Sequence, residues 1–244
     1  MIKRACLFGL PIDITTIDEA RDYLLSADKP MQVVTINPEM ISKAYKDDDL
    51  SSLLKSADMV VPDGVGVVMA LKMTGVKTSR IPGIELAYSL LKEAEKSGLK
   101  VAFVGADEDT VQKAKSELLK TMPNLNFVYV RNGYFDKDEE NVIMQELEKL
   151  QPDLLFAGLG FPKQEIFLKN FKNISKKAIM IGVGGSFDVW AKKLKRAPKL
   201  FQKLNLEWFY RLLCQPSRFK RIFPAIPLFL LKVPLERKLH RKEY

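Results

Sequence analysis

Short apolar runs recur along the first 189 residues, most of them separated by stretches of helical period. This alternation, more than any other feature, restricts what the chain can fold into. The runs are CLFGL near 6–10, MQVVTI at 31–36, DMVVP at 58–62, KVAFVG at 100–105, NFVYV at 126–130, DLLFAGLG at 153–160 and AIMIGVG at 178–184. Between them lie amphipathic segments such as 17–26, 83–98, 109–122 and 138–150, with apolar residues three and four apart. Strands that are apolar on both faces and alternate with helices imply an α/β, Rossmann-like fold. Its sheet is largely parallel and covered by helices on both sides. Gly98 suits a helix C-cap, and Asp107 or Asp109 suits a helix N-cap.

In such a sheet, ligands bind beyond the carboxyl ends of the strands. The residues there read Asn37-Pro38-Glu39, Asp63-Gly64, Gly105-Ala106-Asp107, Gly160 to Gln164 and Gly184 to Asp188. Glycine and polar groups at several adjacent exits suit a nucleotide crevice, although any one glycine can serve only a turn. The dinucleotide fingerprint is incomplete, because Gly158-Leu159-Gly160-Phe161-Pro162-Lys163 ends in lysine, and no Walker A motif is present. Nicotinamide oxidoreduction and P-loop chemistry therefore lose ground. Asp47-Asp48-Asp49 and Asp107-Glu108-Asp109 imitate a cation-binding DxD motif, but both sit where acidic residues cap helices.

Composition narrows the chemistry further. The single histidine, His240, excludes a Ser-His-Asp triad, an HExxH site and a multi-histidine metal centre. Cys6 and Cys214 form no CxxC pair, so neither a disulfide framework nor a zinc site is expected. With an N-terminal apolar run too short for a signal peptide, the expected compartment is cytoplasmic. Residues 190–244 carry fifteen Lys/Arg against three Asp/Glu, a net of +12. With +9 for the whole chain, residues 1–189 carry −3. The reading divides the chain into a catalytic domain, 1–194, and a basic, helical, amphipathic appendage, 195–244, with an anionic partner for the appendage alone.

Several segments, taken in order, resemble the WecG/TagA/CpsF family of bacterial glycosyltransferases. They are Thr35 to Glu39, Asp58 to Gly66, Ser79 to Gly83, Gly160 to Glu165, Gly182 to Asp188, Arg196 to Pro198, Glu207 to Arg211 and Pro216 to Arg221. The resemblance covers nearly the whole chain and is nearest to the TagA branch. It implies transfer of N-acetylmannosamine from a UDP-sugar donor to undecaprenyl-diphosphate N-acetylglucosamine, the start of the wall teichoic acid linkage unit. Relatives using the uronic acid of that sugar, or a hexose, leave the donor open. It also implies an inverting reaction with no metal and no other cofactor.

Residue roles follow from the resemblance. Asp63, which by position can also cap the next helix, matches the proposed catalytic base. Thr35 and Asn37, at an ordinary strand exit, would orient donor sugar and acceptor. Arg80 would hold diphosphate through its planar fork. Gly83 falls in the same matching segment and is assigned to substrate binding. Gln164, otherwise a capping side chain, would contact the donor. Gly184 and Gly185 would let backbone N–H groups approach phosphate, and Asp188 would accept from the uracil ring. Tyr134 lies near the base or sugar, or packs.

The appendage has two readings. Its run at 222–231, IFPAIPLFLL, is ten residues with two prolines, and a span needs ~20 apolar residues. It can lie in the interface, with Trp208, Phe209, Phe219, Phe223 and Phe229 in lipid and basic residues at anionic headgroups. Alternatively it docks on the body or forms an oligomer contact. By resemblance it delivers the lipid acceptor at the inner face of the membrane, with Arg211, Arg218 and Arg221 facing the diphosphates. No RNA module appears, so nucleic acid is not expected as a partner. The remaining rival is a noncatalytic peripheral membrane or nucleic-acid binder, in which the basic appendage is the whole function. Removal of residues from about 195 onward is expected to abolish transfer and leave the body folded.

Overall fold

The structure is a computed structural model, and it describes residues 2–194 together with 197, 198, 201, 210, 229 and 231–234. Arg211, Arg218 and Arg221, and Trp208, Phe209, Phe219 and Phe223, lie outside the described residues. A six-stranded sheet forms the centre: β3 (Met31–Ile36), β4 (Met59–Pro62), β5 (Lys100–Gly105), β6 (Asn126–Arg131), β7 (Leu154–Gly158) and β8 (Ile179–Gly182). The spatial order is β4-β3-β8-β7-β5-β6, and every neighbouring pair is parallel. All six carboxyl ends therefore meet at one edge.

Successive strand residues face opposite sides, which is why the runs are apolar throughout. Val101 and Phe103 join α1 (Ile17–Ser26), α5 (Gly83–Ser97), α6 (Glu108–Leu119) and α9 (Ser186–Trp190) on one side. Ala102 and Val104 join α7 (Lys137–Leu150) and α8 (Lys163–Lys172) on the other. There Val34, Ile36 and Val60 pack on α2 (Pro38–Ala44), α3 (Asp48–Lys55) and α4 (Val65–Met73). Gly98 ends α5 in the left-handed region at φ 67°, as expected of a C-cap.

Two expectations need correction. CLFGL is not a strand of the main sheet. Residues 3–14 form an antiparallel hairpin, β1 (Lys3–Leu7) and β2 (Leu10–Ile14), a separate two-stranded sheet. Its two-residue turn, Phe8-Gly9, has positive φ at both positions, 52° and 68°, the twist that a tight hairpin requires. The second correction concerns Phe229. Its side chain is 2% exposed and lies in the core with the hairpin, α2 and α4, not in a lipid boundary. The Phe8 ring lies 5.2 Å from Phe229 and 5.5 Å from Tyr45, and Lys232 Nζ sits 5.0 Å over the Tyr45 ring. Val233 is buried beside them, while Leu231 is 70% exposed. Among the described residues no helix is long and apolar enough to cross a membrane.

Candidate active site

Four adjacent strands, β4, β3, β8 and β7, carry nearly all the candidate residues at their carboxyl ends. The exits of β4 and β3 are tied directly: the Asp63 amide donates to the Ile36 carbonyl at 3.0 Å. Ile36 lies between Thr35 and Asn37, so one hydrogen bond fixes the half-buried Asp63 beside both. Asn37 is the N-cap of α2, its Oδ1 accepting from Met40 N at 3.1 Å. The N-cap position of α4 is not Asp63. That position belongs to Gly64, which a side chain could not occupy, since a Cβ would come 2.6 Å from Pro38 Cδ.

The Ile81 amide donates to the Pro62 carbonyl at 2.8 Å and draws the loop 79–83 along the end of β4. This carries the half-buried Arg80 to the same exit. Gly83 is pressed against Thr35, and a Cβ there would lie 2.8 Å from Thr35 Oγ1. Thr35 Oγ1 in turn points at the Gly182 carbonyl, 3.4 Å away, across to β8.

Beyond β8, Gln164 forms the floor of the crevice and is 7% exposed. Its Oε1 accepts from Gly184 N at 3.2 Å and its Nε2 donates to Glu165 Oε1 at 2.9 Å. A Cβ on Gly182 would collide with this amide. Gly184 takes φ +50°, and Gly185 is exposed beside the Asp188 carboxylate. Burial pushes the Glu165 carboxyl up to about 7.

Apart from α2, which Asn37 caps at the β3 exit, helix starts divide into two groups. Away from these four exits, side chains cap the first turns: Thr16 on α1, Asp47 on α3, Asp107 on α6 and Asp136 on α7. Around the exits, α4, α5, α8 and α9 begin at Gly64, Pro82, Pro162 and Gly185 with no side-chain cap. No N-cap side chain claims their first-turn amides, and some of these bond main-chain carbonyls instead, such as Gln164 N to Gly160 O at 3.0 Å and Ser186 N to Val183 O at 3.1 Å. Both acidic runs are engaged as caps. Asp47 receives Leu50 N, and Asp107 receives Thr110 N and Oγ1. The Thr110 hydroxyl, then its N–H, with Lys193 besides, hold the Asp107 carboxyl down at about 2.

Tyr134 stands apart. It follows β6, the edge opposite β4 and five spacings away, or about 24 Å at ~4.8 Å per strand. Gly133 N donates to Ala106 O at 2.8 Å, so its loop leans back over the end of β5. Tyr134 is 77% exposed and so is not a packing residue.

A parallel sheet with such an edge is common to many nucleotide enzymes, and comparison with known proteins narrows it. The profile of the glycosyl transferase WecG/TagA/CpsF family matches residues 5–243. A protein of Bacillus subtilis (strain 168) named N-acetylglucosaminyldiphosphoundecaprenol N-acetyl-beta-D-mannosaminyltransferase is 37% identical over 213 residues, covering 87% of this chain and 82% of its own. Its namesake in Staphylococcus aureus (strain NCTC 8325 / PS 47) is 37% identical over 211 residues, covering 86% and 82%. The chain belongs to the WecG/TagA/CpsF family.

As a WecG/TagA/CpsF member it is a glycosyltransferase. Asp63, Thr35, Asn37, Arg80, Gly83, Gln164, Gly184, Gly185 and Asp188 meet at the ends of four neighbouring strands, with Tyr134 on the far side of the edge. Two polar residues behind this candidate site escaped the sequence reading. Gln32 is 1% exposed and Glu165 is 2% exposed. Glutamine inside the apolar run MQVVTI was the available signal, because a buried amide needs partners.

Proposed function

We propose that this glycosyltransferase moves N-acetylmannosamine from UDP onto undecaprenyl-diphosphate N-acetylglucosamine, the acceptor and sugar in its relatives' names, to begin a wall teichoic acid linkage unit. The observation that carries the mechanism is Asp63. Asp63 is half-buried at the exit of β4, its main chain tied beside Thr35 and Asn37 through the Ile36 carbonyl. Asp63 draws the proton from the acceptor hydroxyl as that oxygen attacks the anomeric carbon, a role worth ~10²–10⁴-fold. The relatives' names specify a β-linked product, and one displacement on an α-linked donor gives it by inversion.

UDP departs with its charge stabilised by the uncapped helix starts at Gly64, Pro82, Pro162 and Gly185, and by Arg80. No metal takes part in this scheme, since both DxD-like runs cap helices. Gln164 and Asp188 hold the donor, and Arg211, Arg218 and Arg221 meet the lipid diphosphate at the anionic inner face of the membrane. The test is Asp63→Asn in a transfer assay with a short-chain polyprenyl-diphosphate acceptor, with and without chelator. Turnover is expected to fall at least ~10²-fold, with UDP affinity retained and chelator without effect. Full turnover in the variant rules out the base, and loss of wild-type turnover in chelator rules out the metal-free scheme.

A further inference from the structure

Behind the crevice a buried polar chain links β3, the first turn of α8 and the loop after β8. Gln32 Nε2 donates to the Glu165 main-chain carbonyl at 2.9 Å. Gln164 Nε2 donates to Glu165 Oε1 at 2.9 Å, and Gln164 Oε1 accepts from Gly184 N at 3.2 Å. Two buried oxygens in this chain have no donor: Glu165 Oε2 and Gln32 Oε1. Buried acceptors left without a donor are uncommon and each costs stability. A carboxylate and an amide oxygen cannot serve each other, because both only accept. A proton on the carboxyl would turn Glu165 from an acceptor into a donor as well.

We propose that Glu165 is a positioning residue for glycosyl transfer, held as the neutral acid, its Oε2 hydroxyl donating to Gln32 Oε1 while its Oε1 fixes the Gln164 amide. This rests on the transferase reading of the site. The Gln164 amide can turn over by 180° about its last bond, which exchanges donor for acceptor. In the turned state its NH₂ group would meet the Gly184 N–H and its oxygen would meet Glu165 Oε1. Glu165 excludes that state, so Gln164 Oε1 stays on Gly184 N and holds the loop 183–185 against the crevice. The glycine at 182 leaves the amide room to lie there. Burial independently favours the neutral carboxyl. Glu165 itself does not touch substrate.

The experiment compares Glu165→Gln with Glu165→Leu in the full chain. Glutamine places an acceptor oxygen and a donor NH₂ group where the neutral acid has a carbonyl oxygen and a hydroxyl, whereas leucine supplies neither. E165Q is expected to keep kcat and KM for the UDP-sugar within about threefold. E165L is expected to melt cooperatively yet lose about tenfold or more in kcat/KM, the scale of one buried hydrogen bond lost at a site. The E165L and Gln164→Ala losses are expected to be non-additive in the double variant. A loss in folded E165Q as large as that in E165L overturns the proposal, as does additivity. If E165L does not fold, E165Q alone decides: tenfold loss overturns and retention supports. Absence of any UDP-sugar turnover in the wild type instead overturns the transferase reading beneath it.

Discussion

Asp13 Oδ2 accepts the Val60 main-chain N–H at 2.7 Å, and Arg4 grips the same carboxylate through Nε and Nη2. β4 is the edge of the main sheet, so its outward amides need partners from elsewhere. The hairpin thus seals the strand that ends at Asp63. Asp13 is 3% exposed and raises the Arg4 guanidinium above its ordinary value, chiefly through their hydrogen bond.

Asp13→Ala strips the Val60 amide of its partner inside the protein. A loss of about 1–3 kcal/mol in unfolding free energy is expected, with a smaller loss in Asp13→Asn, which keeps an acceptor. Urea denaturation of the three proteins checks this. Equal midpoints for wild type and D13A would mean that the edge is sealed by something else.

Gly83→Ala tests the packing at Thr35. The new Cβ would lie 2.8 Å from Thr35 Oγ1 and 3.0 Å from Cγ2, so the threonine must turn away. Misplacement of a substrate-orienting group by about 1 Å can cost ~10²-fold in rate. A drop of that order in kcat is expected, with partial recovery when Thr35→Ser removes Cγ2. Steady-state kinetics of the single and double variants measure it, and an unimpaired G83A would show that Thr35 orientation is irrelevant.

The main strands other than β6, and the residues at their exits, were readable because both-face burial writes itself as continuous apolar runs, while the half-buried edge strand β6 kept an apolar run of its own in FVYV. The hairpin was not readable. Its turn, Phe8-Gly9, lies inside an apolar run, and the strand after it, LPIDI, puts a buried aspartate where a core strand would be apolar. Glu165 was hidden for a related reason. A carboxylate in the first turn of a helix reads as a dipole partner, and only the packing of α8 on β3 and β8 shows that this one is dry. Asp47 and Asp107 were legible as caps because a cap acts within three residues, and local rules suffice for it.

Phe229 shows the same limit at longer range. Aromatic and basic residues mixed together describe a lipid-facing segment and a docked one equally well. Phe229→Ala is expected to destabilise the protein by about 3–5 kcal/mol, as for a buried core phenylalanine. Leu231→Ala, two residues on and exposed, is expected to change stability by less than about 0.5 kcal/mol. The same burial means that truncation from about 195 removes Phe229 and Val233 from the core around the hairpin, and should lower the melting temperature of the body. Matched thermal melts of the three variants test this, and an unshifted F229A would detach the segment from the body.

Glu165 gives stability a defined pH dependence. Its carboxyl ionises near 4.5 ordinarily and at about 7 in the folded protein, raised by burial, with the hydrogen bonds from Gln164 and from its own main chain acting the other way. Between these values the folded chain binds a proton that the unfolded chain has released, so unfolding free energy falls as pH rises. The decline begins above the unfolded value and levels off once pH passes the folded one, and it amounts to on the order of 3 kcal/mol in all. Glu165→Gln has no proton to lose. The difference between wild type and E165Q, from chemical denaturation at intervals between pH 4 and 8, should therefore move steadily against the wild type as pH rises. A difference that stays constant across that range would show that folding does not raise the pH at which this carboxyl ionises.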